Sequence, residues 1–101
     1  MYKLRQFITD LTGIVMSEYE LSDEAFNNSH CESATDARIM VVGVLIREGW
    51  SEGEISKATG WKQRRVNWLK NNLDERMKRR GFRVSWDRIR NGLSGNNLAI
   101  T

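Results

Sequence analysis

The eight residues Ile39-Met40-Val41-Val42-Gly43-Val44-Leu45-Ile46 form the longest apolar run in the sequence, and they constrain the architecture most. The run is far short of the roughly 20 residues that a membrane span needs. It is instead expected at the centre of a helix over about residues 33–48, apolar on nearly every side, around which other elements pack. Ser33 and Asp36 have the spacing of a capping box at its start, with Asp in place of the usual Glu. Gly49 ends it. Gly43, in the middle, costs roughly 1 kcal/mol relative to alanine and is expected where another helix crosses closely. Proline, the commonest interrupter of helices, is absent from all 101 residues.

The flanking segments are also helical in pattern. Leu4, Phe7, Ile8 and Leu11 recur at helical spacing, predicting an opening amphipathic helix that closes near Gly13. Residues 14–19 either extend that helix or pack across it. Ser22 before Asp23-Glu24-Ala25-Phe26 predicts a capped single turn, and Asn27-Asn28-Ser29-His30 reads as a loop. Ser51-Glu52-Gly53-Glu54 is a second capping box, opening a short helix that turns Ile55 and Ala58 inward. Gly60 supplies the left-handed residue of a tight turn. A long helix from about Lys62 to Arg80 follows, with Val66, Leu69, Leu73 and Met77 as its buried stripe. Gly81 stops it, and Ser85 caps a last short helix carrying Trp86, Ile89 and Leu93. The sequence thus predicts one all-α domain over residues 1–93, then a flexible tail over residues 94–101.

Hydrophobic residues at 40% and charged residues at 29% describe an ordinary globular chain. The net charge of +3 conceals an asymmetry. Residues 1–33 carry two Lys/Arg against six carboxylates, net −4, and residues 61–90 carry eleven Lys/Arg against three carboxylates, net +8. A basic stripe of this kind is the electrostatic footprint of a nucleic-acid contact, although long helices also carry solvated charge.

Residues 52–71 supply the motif that sharpens this reading, because they fit helix-turn-helix spacing over a motif region of 51–80. Ile55 faces inward, Ser56 lies where the two helices cross, Gly60 makes the turn, Trp61 plugs the joint, and Val66 and Leu69 anchor the second helix. At about 100° per residue, Arg64, Asn67, Trp68 and Asn71 lie opposite the buried stripe, with Gln63 and Arg65 flanking them. Arg can donate bidentately to guanine, and Gln and Asn pair with adenine. Lys62 and Arg65 suit phosphates, which fix register and not sequence, and Lys57 on the preceding helix joins the same DNA-binding set. Trp68 has three open roles: contact with a thymine methyl or sugar, anchoring of a protein partner, or packing beneath the N-terminal helix. The run Lys78-Arg79-Arg80-Gly81-Phe82-Arg83, with Arg88 and Arg90, reads as a non-specific backbone clamp or as solvated charge.

Asp36-Ala37-Arg38 through Gly43-Val44-Leu45, then Ser51-Glu52-Gly53-Glu54-Ile55, Thr59-Gly60 and Val66, resemble the C-terminal DNA-binding domain of the bacterial chromosomal replication initiator, DnaA. The likeness covers about residues 34–70 and, more weakly, the opening helix. It implies a helix-turn-helix fold of the Trp-repressor and DnaA C-terminal type with an N-terminal helical extension, and double-stranded DNA as partner. Two segments depart from that family. Lys62-Gln63-Arg64-Arg65 stands in place of its acidic-His-Thr-Thr signature, and Ser29-His30-Cys31-Glu32 replaces its basic loop. A stand-alone module without a nucleotide-driven domain is expected.

Other chemistry finds little support in the sequence. Cys31 is the only cysteine and His30 the only histidine, which excludes an internal disulfide and a zinc site of the usual kind. No cofactor is expected. The sequence holds no GxGxxG and no P-loop, and His30-Cys31-Glu32 are neighbours in a loop rather than an assembled triad, so catalysis is not expected. The start, Met1-Tyr2-Lys3-Leu4-Arg5, does not lead into a signal-peptide core, which predicts a reducing, cytoplasmic setting without membrane contact. The sequence therefore reads as a small regulator of transcription or replication from a bacterium, phage or mobile element. The competing reading is an interaction module whose basic face and Trp68 grip an acidic protein. The acidic N-terminal third could shield the basic face or bind that of a second copy, giving a homodimer.

Overall fold

A computed structural model describes residues 4–95, and among these it contains seven helices and no strand. In chain order they are α1 (Leu4–Tyr19), α2 (Asp23–Asn28), α3 (Glu32–Arg47), α4 (Glu52–Thr59), α5 (Gln63–Asn71), α6 (Leu73–Met77) and α7 (Arg80–Gly95). The apolar run lies in α3, where residues 37–45 are buried without interruption. A helix buried on every side needs partners on every side. α1, α2, α4, α5 and α6 all pack against it, and Trp86 of α7 reaches it at Gly43. The core joins Phe7, Leu11 and Val15 of α1 to Ile39–Leu45 of α3, and continues through Ile55, Val66 and Leu69 to Phe82, Trp86, Ile89 and Leu93 of α7. No helix is long and apolar enough to cross a membrane among the described residues.

Gly43 serves the close approach expected of it. A Cβ there would stand 2.9 Å from a Leu73 methyl and 3.2 Å from the Trp86 ring, so hydrogen is the only substituent that fits without displacement. Gly49, at φ +100°, closes the segment after α3 in the left-handed region.

Several boundaries differ from those expected of the sequence. α1 passes through Gly13 to Tyr19, because burying Val15 and packing Ile14, Met16 and Tyr19 on the core outweigh one mid-helix glycine. Asn27 and Asn28 belong to α2, whose cap is Ser22 as expected, its side chain accepting from the Ala25 amide at 3.1 Å. The proposed Ser33/Asp36 box does not form. The cap position of α3 is Cys31, without a side-chain cap bond, and Asp36 is drawn to Arg76 of α6.

The long helix over residues 62–80 is broken at Asn72, whose side chain donates to the Trp68 carbonyl at 2.8 Å and whose N–H is shared between the Trp68 and Leu69 carbonyls. That break lets Leu73 meet Gly43. Gly81 lies inside the first turn of α7 and Ser85 in its middle, so neither stops nor caps a helix. Arg83 closes the α6–α7 turn by donating to the carbonyls of Met77 and Lys78 at 2.9 and 3.1 Å. α7 takes in residues 94 and 95, and the rest of the predicted tail, residues 96–101, lies outside the described residues.

Filling the α3 crossing should be costly. Gly43→Val is expected to lower unfolding stability by about 2 kcal/mol in a denaturant titration, the overpacking penalty of a tight core. Unchanged stability would mean that α6 and α7 do not approach α3 this closely.

Candidate nucleic-acid interface

The α4–α5 joint is built almost entirely from local hydrogen bonds. Ser51 and Glu54 form both halves of the capping box, at 3.1 and 2.8 Å. Gly60 is left-handed at φ +81° and its N–H donates to the Ser56 carbonyl at 2.9 Å. The Ser56 hydroxyl donates to the Trp61 carbonyl at 2.6 Å, while the Thr59 hydroxyl donates to the Ile55 carbonyl and accepts from the Trp61 N–H at 3.1 Å. These bonds fix the backbone of Trp61, whose buried ring lies 5.8 Å from that of Phe26. Ile55 and Val66, both fully buried, pin the two helices to the core beneath it.

The structure brings together most of the residues singled out from the sequence. Val66 and Leu69 face inward, and Arg64, Asn67, Trp68 and Asn71 emerge on the opposite side of α5, all exposed. Lys62 and Gln63, at the start of α5, and Lys57, on α4, are also exposed. Trp68 is 51% exposed, which removes the reading that packed it beneath the N-terminal helix.

Three of the predicted contact residues, Arg65, Asn67 and Asn71, are partly engaged within the protein. The Arg65 guanidinium lies over the Trp61 ring at 5.4 Å and donates to the Asn27 carbonyl at 3.3 Å. Asn67 donates to the Glu52 carboxylate at 3.2 Å and accepts from Asn71 at 3.1 Å. Lys70 meets the same carboxylate at 2.7 Å. These hydrogen bonds, from Lys70 first and then Asn67, hold the Glu52 carboxyl below its ordinary range. Glu52 therefore clamps α4 to α5 and puts one negative charge beside the exposed face of α5, a role the sequence pattern did not reveal.

Intramolecular ion pairing divides the basic stripe. Arg76 of α6 pairs with Asp36 of α3 at 3.2 Å, while Glu32 and Glu18 of the acidic N-terminal third neutralise Arg79 in the α6–α7 turn and, at 3.4 Å, Arg88 of α7. Lys78 has Glu75 at 3.5 Å. Lys57, Lys62, Arg64 and Arg65 have no carboxylate at ion-pair distance among the described residues. Unneutralised charge is thus left around the α4–α5 turn, at the end of α5 that also lacks a side-chain cap and any acidic residue in its first turn, and on Arg80, Arg83 and Arg90 of α7.

Arg38 of α3 extends this charge inward. It is only 4% exposed, and its terminal nitrogens donate to the carbonyls of Phe26 and Ser29 at 2.7 and 2.9 Å. Burial, and then the nearby Arg65 charge, press its pKa below the usual value. His30 and Cys31 are exposed beside it, and no group of three or more metal-ligating side chains occurs among the described residues. Comparison with known protein families, with curated proteins and with solved structures finds no match to this chain.

The Glu52 clamp should be visible in acid. Its lowered pKa means that its stabilising contribution is present above the unfolded carboxyl pKa and is lost as pH falls through the folded value. Glu52→Gln should lower the melting temperature at neutral pH, with the gap to the parent closing as pH drops below that value. A gap independent of pH would remove the ionic role.

Proposed function

We propose that the protein binds double-stranded DNA sequence-specifically, with α4 and α5 acting as a helix-turn-helix and α5 entering the major groove. In that geometry the first helix crosses the backbone, and the second presents its N-terminal turns to base edges. Arg64, with Gln63 and Asn67, reads bases; Lys57, Lys62 and Arg65 hold phosphates. The resemblance to the DnaA C-terminal domain rests on residues of α3, α4 and the turn into α5, and it favours the same partner.

The observation that carries this reading is the cluster of unneutralised cations at the start of α5. Cations there oppose the positive end of the helix dipole, which favours anions. The arrangement is unfavourable for an isolated helix and becomes favourable when phosphates approach. Regulation of transcription or replication is the role that a small sequence-specific binder of this kind would fill. The exposed indole of Trp68 supports a second reading, an anchor for an acidic protein partner.

The paired and unpaired cations should behave differently on a duplex. Arg64→Ala should weaken binding to the preferred site by about 10- to 100-fold and relax discrimination at one base position. Arg88→Ala, already neutralised by Glu18, should change affinity by less than about threefold. Parent affinity should fall log-linearly with salt, with a slope near −0.9 for each of about four phosphates. Equal losses for the two variants on preferred and scrambled duplexes would reduce the stripe to a charged surface. Duplex affinity retained in Arg64→Ala, with a protein partner lost in Trp68→Ala, would favour the second reading.

A further inference from the structure

We propose that the groove between α5 and the α2–α3 connection is a nucleotide site, in which Arg38 and Arg65 hold the phosphate and Trp68 stacks on the base. The groove encloses about 360 Å³, and Asn27, Asn28, His30, Arg38, Arg65 and Trp68 line it. This inference goes beyond the duplex reading and does not rest on it.

Charge is the first argument. Two guanidinium groups lie near each other in the wall of one groove, no carboxylate lines it, and neither arginine has a carboxylate at ion-pair distance among the described residues. A nearly buried cation in that position calls for an anion, because carbonyl dipoles compensate a full charge only in part. Carbonyls hold the terminal nitrogens of Arg38 in place and its Nε is buried without a hydrogen-bond partner, so Arg38 brings positive charge to the groove wall rather than a free donor. Arg65, held over Trp61, is the more accessible of the two.

Shape and rim narrow the ligand. The volume falls at the small end of small-molecule sites, about 300–1,000 Å³, which suits a mononucleotide better than a helix of a partner protein. Trp68 offers an exposed aromatic surface at the edge, and stacking on such a surface tolerates any base. Asn27, Asn28 and His30 add hydrogen-bonding groups around the rim. A phosphate joined to a planar base satisfies both halves of the groove. It can be a free nucleotide or an unpaired nucleotide within a single strand.

Calorimetric titration of the full chain, without duplex, separates these sources. The probes are deoxyadenosine monophosphate, deoxyadenosine, an oligodeoxyadenylate single strand and an oligoglutamate peptide. The expected result is saturable binding of the monophosphate or the single strand, with deoxyadenosine at least about tenfold weaker. Trp68→Ala, whose side chain is half exposed and leaves the core intact, should weaken that binding by about tenfold or more, as should Arg65→Gln. Binding of the monophosphate assigns a free nucleotide; binding of the oligonucleotide alone assigns a single strand. The proposal is overturned if neither binds, if deoxyadenosine binds equally well, or if Trp68→Ala binds like the parent. It is overturned also if oligoglutamate binds in their place, which would make this an acidic-peptide groove.

Discussion

The burial of α3 on all its sides is the constraint from which the remaining structure follows. A helix whose surface is apolar around its full circumference cannot lie at the edge of a domain, because each exposed CH₂ would forfeit about 0.8 kcal/mol. Six other helices are therefore arranged to cover it. The closest crossing, at Gly43, is possible because that residue has no side chain to separate α3 from Leu73 and Trp86. Through Val66 and Leu69 the same demand fixes α5, and with it the direction in which Arg64 and Trp68 face.

Charge is then sorted by where the helices happen to lie. Coverage of α3 brings α1 beside α7, and places the start of α3 near the chain that leaves α6, so Glu18 and Glu32 meet Arg88 and Arg79. Two of the six carboxylates in the acidic third of the chain are engaged in these contacts. Exposed pairs of this kind add little stability. Their consequence is electrostatic: they lower the positive potential beside Arg76, Arg79 and Arg88 and leave it undiminished around the α4–α5 turn and at Arg80, Arg83 and Arg90.

How much of this was legible in the sequence depended on the range of the interaction. The Ser51/Glu54 box, the Ser22 cap and the left-handed Gly60 were all readable, because each rests on hydrogen bonds spanning three or four residues. The outward face of α5 was readable from helical periodicity. Decisions made by tertiary packing were not. Gly13 resembles a helix end until Val15 is seen in the core, and Asn72 breaks a periodic stripe so that Leu73 can reach α3. Phe82, buried at the head of the α7 stripe, was hidden among arginines. The Glu52 clamp and the placement of Arg38 and Arg65 in the wall of one groove bring together residues remote in sequence, so no local pattern announced them.

The central claim is that the charge left around this turn serves sequence-specific recognition of duplex DNA. Selection from a pool of random-sequence duplexes with the purified protein tests it most directly, since binding and specificity are read together. The account predicts that successive rounds converge on one short motif, with each substituted base pair weakening binding by about 1–3 kcal/mol. Recovery of duplexes without a shared motif, or of none at low salt, would contradict it.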